Sequence, residues 1–408
     1  MASKKKAGMV TLTDIEQALS RIGDAVFYSP CHRAEILSEL IGCEVFLKLE
    51  NLQMTGSFKD RGSLNKILQL SDQQKRAGVI TASAGNHAQG VAHAARVSGI
   101  QATVVMPETA PLAKIRGTRE FGANIILHGK GYDEAQKKAR ELQARDGYTF
   151  IHAFDDPDII AGQGTIGLEL LEQIPDMDTV VVPVGGGGLI SGIAIAIRGQ
   201  RPEVELVGAE AERMPAMKRS VKAGRILPQR VANTLADGIA VARVGEQTLP
   251  IVRSQISTIV TVTEEEIANA VMVLLEREKT LAEGAGAVGF AALYGGHLGE
   301  IKNRKVVVVI SGGNIDMTTL AKILERGLEL DGRIARLRVV VPDRPGSIAE
   351  LATLVAGHQA NILQISQNRA VSEVELEETE VELVLETRGR EQVAEIKASI
   401  EHRGFVVK

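Results

Sequence analysis

With 408 residues, 44% hydrophobic and 24% charged, the chain has room for two or three domains and a core that needs no disulfide or metal staple. Its 47 basic and 51 acidic residues give a net charge of −4, which steers it neither toward phosphate backbones nor toward anionic membranes; 3% aromatics with no Trp argues against stacking platforms for single-stranded nucleic acid. Cys31 and Cys43 form no CxxC pair, no apolar stretch approaches the roughly 20 residues of a membrane span, and Asp14 and Glu16 interrupt the start before any apolar run, so a cytoplasmic protein is the expectation.

After a terminal tail that carries Lys4, Lys5 and Lys6, apolar runs alternate with amphipathic stretches from about residue 45. "EVFLKLE" (44–50), "VITASAGN" (79–86) and "ATVVMP" (102–107) read as strands, the last followed by a helix "APLAKIRGTREFG". "NIILHG" (124–129) is a further strand, with a charged helix over about 131–145 behind it. "TVVVPVGGGG" (179–188), "VELVGAE" (204–210), "STIVTV" (257–262) and "KVVVVISGGN" (305–314) continue the series. Several runs are apolar on both faces, as in parallel strands covered by helices, so a doubly wound α/β body is expected. The rhythm changes after about residue 330. "ARLRVVVPD", "GSIAELATLVAGH", "ANILQISQNR", "EVELVLET", "REQVAEIKASIEH" and "GFVVK" give the order βαββαβ, the size and order of a ferredoxin-like module. The polar stretch "RGLELDGR" (326–333) marks the expected boundary, with domains at 1–330 and 331–408 and a small subdomain at roughly 50–150 inserted in the larger one.

Ligands of open α/β sheets sit at the carboxyl ends of the strands, and four unusual stretches lie near such ends. In "GSFKDRG" (56–62), Lys59 falls in the first turn of a helix starting near Ser57, beside Phe58. The helix dipole and burial both lower the proton affinity of such an amine, which suits imine formation; the ordinary alternative is a surface lysine paired with Asp60. In "SAGNHAQG" (83–90), small residues before a helix make an anion nest fit for a carboxylate. Asn86 there can hydrogen-bond a ring hydroxyl, and His87 is either a ligand contact or a half-buried helix residue. In "PVGGGGLISG" (183–192), four glycines follow a buried strand and open a helix, so the backbone can wrap a phosphate. This stretch matches neither the GxGxxG fingerprint nor a Walker loop. In "SGGN" (311–314), a serine ends a buried strand and offers one hydrogen bond to a ring nitrogen. Together these describe pyridoxal phosphate bound with an amino acid.

The four motifs, in this order over roughly residues 10–330, resemble those of the fold-type II (tryptophan synthase β-like) pyridoxal-phosphate enzymes, specifically the threonine (serine) dehydratases, or threonine ammonia-lyases. The resemblance implies that Lys59 carries the cofactor as a Schiff base and acts as general base. It also implies that Phe58 packs beside the ring, Asn86 contacts the ring oxygen O3′, and Gly185, Gly186, Gly187, Gly188 and Leu189 hold the phosphate. Ser311 would face the ring nitrogen, Gly238 in "ADGIAV" would lie near the cofactor, and Ser83, Ala84, Gly85 and His87 would surround the substrate carboxylate. The implied reaction is β-elimination of L-threonine or L-serine to 2-oxobutanoate or pyruvate plus ammonia. The leaving hydroxyl has no dedicated acid in the sequence, and the cofactor phosphate is expected to protonate it. A monovalent cation near the glycine loop belongs to the resemblance, without a definable ligand set.

The C-terminal module resembles an ACT domain through "DRPGSI" and "ANILQI". It implies an amino-acid effector, isoleucine or valine, near Gly346, Ser347, Ile348 and Asn361, and a homo-oligomer, dimer or tetramer. Serine racemase on the same fold is the nearest alternative. It would place a second serine where Ala84 stands, and its metal site would want a further acid after Glu210 and Glu212. A catalytically inactive amino-acid sensor is the alternative from another class.

Overall fold

The computed structural model describes residues 10–368 and 375–408; the Lys4–Lys6 tail and Arg369 of the third C-terminal segment lie outside them. The chain divides into two compact units, Met1–Asp316 and Met317–Lys408.

The first unit is built on two sheets. Strands Thr179–Pro183, Glu205–Ala211, Thr258–Val262, Lys305–Ile310 and Glu44–Leu49 pair in parallel, and Cys31–Arg33 closes one edge antiparallel to Glu44–Leu49. Glu44–Leu49 lies directly beside Lys305–Ile310, with Val45 opposite Val306. The intervening chain therefore leaves this sheet and returns to it. On that excursion it forms the second sheet, four parallel strands in the order Asn124–Leu127, Ala102–Met106, Val79–Ala82, Thr149–Phe150. Val79–Ala82, Ala102–Met106 and Thr179–Pro183 are buried at every position, as strands covered by helices on both faces must be. The edge strand Asn124–Leu127 is buried nowhere along its length.

Helices cover both sheets. Pro157–Gln173 starts at Asp156, whose side chain accepts from the N–H groups of Asp158 and Ile159, with Pro157 in the first turn. It packs on Gly188–Gln200 and contributes Ile166 and Leu170 to a core shared with Val180, Val182, Ile190 and Ile193. A second core under the smaller sheet joins Leu64 and Ile67 of helix Lys59–Leu68 to Val91 and Ala95 of helix Asn86–Val97.

The second unit has a four-stranded antiparallel sheet in the order Asn361–Asn368, Glu378–Glu386, Ile334–Pro342, Val406–Val407. Helices Ser347–Gly357 and Arg390–His402 give the βαββαβ order, and their Leu351, Val355, Ile396 and Ile400 meet Leu337, Val339, Val381 and Leu383 in one core. Helix Met317–Leu330 belongs to this unit, so most of the polar stretch 326–333 is helical. It is tied in by Arg336, which pairs with Glu325 and Glu329, and by Arg390 Nε donating to Leu330 O at 2.9 Å. No helix among the described residues is long and apolar enough to cross a membrane.

Candidate active site

The first and the last of the four stretches, 56–62 and 311–314, are stitched together. Ser57 bridges Gly312 antiparallel, Phe58 N–H donates to Ser311 O at 3.1 Å, and Gly313 N–H donates to Gly56 O at 2.9 Å. Helix Lys59–Leu68 begins at once after this clamp, so Lys59 occupies its first turn. Asp60 turns back and accepts from Thr55 N–H at 3.0 Å and Thr55 Oγ1 at 2.7 Å, so it closes the preceding turn instead of pairing with Lys59. Lys59 Nζ donates to Ala153 O at 2.9 Å and lies 4.9 Å from the Phe58 ring centroid. Among the described residues it makes no ion pair. Burial pulls its amine down to about 8, against the opposing pull of the Glu283 carboxyl.

Two residues later, Arg61 anchors the same helix. Its guanidinium is buried and donates to Glu50 through Nε and Nη2, both at 2.8 Å, and to Glu169 through Nη1 at 2.5 Å and Nη2 at 2.9 Å. Lys48 Nζ completes the cluster at 2.5 Å from Glu169. Burial opposes the charge on Arg61, but the two carboxylates outweigh it and raise its proton affinity.

The nest segment leaves strand Val79–Ala82, and helix Asn86–Val97 starts with Gly85 at its N-cap. Ser83, Ala84, Gly85 and Asn86 are half-buried. His87 is buried and its Nε2 lies 3.0 Å from Ile151 O, which makes it the donor to that carbonyl; burial first, then Lys59, hold its ring down to about 3 and therefore neutral. The Asn86 carboxamide lies between two partners: Oδ1 accepts from Asn314 Nδ2 at 2.9 Å, and Nδ2 donates to Glu283 Oε1 at 2.5 Å.

The glycine loop runs from strand Thr179–Pro183 into helix Gly188–Gln200, with Gly187 at φ +96°. A Cβ on Gly186 would fall closer than 3.0 Å to the Phe154 ring, and one on Gly187 would lie 2.6 Å from Met217 Cε. The back of the loop is thus filled by protein, and its carbonyls are tethered: Gly186 O accepts from Thr248 Oγ1 at 2.6 Å and Gly245 N–H at 3.2 Å. Asp155 holds that second segment by accepting from the N–H groups of Glu246 and Gln247, both at 2.9 Å. Segment 153–155 therefore touches Lys59 with one residue and supports the loop with the next two. Gly238 sits in the short turn Asp237–Ile239, where a Cβ would lie 3.6 Å from Glu283 Oε1.

These features fit pyridoxal phosphate: a half-buried amine of lowered proton affinity, a helix start preceded by a loop that admits no side chains, and a buried serine, Ser311, at the neighbouring strand end. Among the described residues no three His, Cys, Asp or Glu side chains gather to hold a metal ion. Both oxygens of Glu210 accept backbone N–H groups, from Met217 and Lys218, each at 2.8 Å. Glu283, Asn314 and the Ala153 carbonyl escaped the sequence reading. Glu283 did leave a signal, as the lone charge in the run 281–296.

The four residues assigned to an effector do not meet in one copy of the second unit. Gly346 caps helix Ser347–Gly357 just after Pro342, which pairs with Glu378; Asn361 pairs with Glu386, which also pairs with Ile334. The Pro342 and Ile334 rows are eight residues apart along the strand, about 26 Å at 3.3 Å per residue, so Gly346 and Asn361 lie toward opposite ends of the sheet. Ser347 is buried, Ile348 is 36% exposed, and Asn361 Nδ2 donates to Glu386 Oε2 at 3.1 Å.

Comparison with known proteins agrees with this geometry. Residues 22–312 match the family model of pyridoxal-phosphate dependent enzymes, and residues 335–402 match the ACT domain. The L-threonine ammonia-lyase of Thermotoga maritima is 47% identical over 400 residues, 98% of this chain and 99% of that one. The processed form of threonine deaminase isoform 2 from Solanum lycopersicum superposes with a TM-score of 0.73 at 39% identity, over 78% of this chain and 95% of that chain. Maize serine racemase superposes with a TM-score of 0.74 at 34% identity, over 79% of this chain and 98% of that chain. Sheet architecture, a lysine clamped to the last strand end and full-length similarity lead to one assignment: the chain belongs to the fold-type II pyridoxal-phosphate-dependent enzymes, among the L-threonine ammonia-lyases, and carries an ACT domain at its C-terminal end.

Proposed function

We propose that this chain deaminates L-threonine, and L-serine, by β-elimination at Lys59, yielding 2-oxobutanoate or pyruvate plus ammonia. The observation that carries the proposal is the half-buried Lys59 amine, held by the Ala153 carbonyl, without an ion-pair partner among the described residues and brought down to about 8. When bound, pyridoxal phosphate supplies an aldehyde for imine exchange and a ring that accepts the electron pair left on the substrate α-carbon. Gly185–Leu189 would hold its phosphate and Asn86 its ring oxygen. Ser311, a neutral hydroxyl, would face its ring nitrogen without keeping a proton there. Phe58 shields Lys59 from water. Nζ of Lys59 takes the α-proton of the substrate as general base. Backbone N–H groups at the start of helix Asn86–Val97 hold the substrate carboxylate, and the neutral His87 shapes that nest from behind. The β-hydroxyl leaves with a proton as water, and the released enamine hydrolyses to the oxo acid and ammonia.

Racemisation needs a second proton-carrying group on the opposite face, and the Ala84 methyl has no proton to give. Ammonia and oxo-acid release from L-threonine and L-serine tests the activity. A colourless protein that binds a branched-chain amino acid and releases no ammonia would instead be a sensor.

We extend the proposal to regulation: residues 331–408 act as a regulatory domain, with isoleucine or valine bound between ACT modules of a homo-oligomer. The separation of Gly346 from Asn361 within one copy supports a site completed by a second copy. Kinetics of the chain cut at about residue 330 tests this; identical responses of cut and full-length enzyme to both effectors would refute it.

A further inference from the structure

Glu283 reaches the site from the N-cap position of helix Gly284–Tyr294, and the reaction outlined above does not use it. Its side chain makes no capping bond to its own helix. It turns instead to Asn86 and accepts from Nδ2 at 2.5 Å. Its N–H donates to Gly312 O at 3.0 Å, beside Ser311. A Cβ on Gly312 would fall closer than 3.0 Å to Glu283 Oε1 and would displace the carboxyl group from this position. The bare glycine leaves room for this carboxyl group.

The other end of Asn86 is equally defined. Asn314 Nδ2 donates to Asn86 Oδ1 at 2.9 Å and to Thr55 O at 2.6 Å. Turned end for end, the Asn86 carboxamide would set its oxygen against the carboxylate and its NH2 against another NH2; both contacts repel. One N–H of Asn86 meets Glu283, and the second remains available.

We propose that Glu283 is a positioning residue of the active site: its carboxyl group fixes the nitrogen end of the Asn86 carboxamide toward the cofactor's ring oxygen and lies within electrostatic reach of Lys59. The inference rests on the role given to Asn86 in the proposed function. The charged groups facing Glu283 are Asp237 from the turn Asp237–Ile239, Lys114 from helix Leu112–Glu120, and Lys59; Lys114 and Asp237 pair with each other at 2.6 Å. Burial and then Asp237 push the Glu283 carboxyl up to about 7, against Asn86, Lys114 and Lys59. Its charge therefore changes across neutral pH while its bond from Asn86 persists, since either form offers an accepting oxygen. Ionised, it strengthens the hold of Lys59 on its proton.

The test uses the full chain, freed of cofactor and titrated with pyridoxal 5′-phosphate, with the visible absorption of the bound cofactor followed from about pH 5.5 to 9. Glu283→Gln keeps an accepting oxygen and removes the charge. It should bind the cofactor within about threefold of the native chain but lose the absorption change centred near neutral pH. Glu283→Ala leaves the half-buried Asn86 donor without its partner and should weaken cofactor binding at least about fivefold. A purely structural carboxyl would leave the pH titration of the Gln variant unchanged; that result, or native affinity and spectrum in the Ala variant, overturns the proposal. Should the Ala variant fail to fold, the spectral titration of the Gln variant decides alone. A native chain that takes up no cofactor would overturn the proposed function together with this inference, whereas unchanged variants overturn the inference only.

Discussion

Replacing Gly186 with alanine tests the phosphate cradle from behind. The added Cβ would fall closer than 3.0 Å to three atoms of the Phe154 ring, well inside ordinary contact. The ring has little freedom to retreat. Phe154 O and Cα already press on the position of a Cβ at Gly188, at 2.8 and 3.0 Å, and the His152 ring meets Phe154 edge-on at 4.7 Å between centroids. The loop itself must move, against the bonds from Thr248 and Gly245 to Gly186 O. Overpacking of this kind costs about 1–3 kcal/mol. If that cost falls on the cofactor-bound loop, affinity drops about 5- to 150-fold. Titration of the cofactor-free full chain with pyridoxal 5′-phosphate, followed by visible absorption, measures it. Gly131→Ala is the control, since its backbone is extended at φ −152° and a Cβ there meets nothing within 4 Å. A folded Gly186→Ala chain that binds within about twofold of native would refute the claim that the glycine is demanded by its packing.

Arg61→Ala leaves Glu50 and Glu169 buried with only part of their charge balanced by Lys48, so urea unfolding should show a loss of about 3–5 kcal/mol; a loss under about 1 kcal/mol would contradict the network. Burial pushes the Glu210 carboxyl up to about 7 despite its two backbone donors. The native state then binds a proton that the unfolded chain releases, so this contribution is present at low pH and is lost as pH rises through about 7. Unfolding free energies at pH 5 and pH 8 should fall by up to about 3 kcal/mol more for the native chain than for Glu210→Gln, and equal slopes would rule out the buried carboxyl as the source.

The strands that position the site were legible because their apolar runs exceed what a half-buried strand would carry. Val79–Ala82 and Thr179–Pro183 are buried on both faces, and each leads into a stretch of small residues that can only be a turn. Cys31–Arg33 and Thr149–Phe150 were not legible. They span three and two residues and owe their conformation to partners across the sheet, Phe46–Lys48 and Val79–Ile80. The same limit applies within the site. Lys59 stands out by its local setting, but its contact with Ala153 and the meeting of Asn86 with Glu283 join residues 94 and 197 positions apart. Nothing local encodes such a meeting. Asn361 and Gly346 show the same limit: their motifs suggest an effector held between paired modules, and only the strand register shows them toward opposite ends of the sheet in one copy.

The central claim is that the Lys59 amine carries the cofactor. Borohydride reduction of the cofactor-loaded chain, followed by digestion and peptide mass mapping, tests it directly. The account predicts one modified peptide, the one that contains Lys59, and none in a Lys59→Ala chain treated alike. A label fixed on another lysine, or persisting in the Lys59→Ala chain, would contradict it.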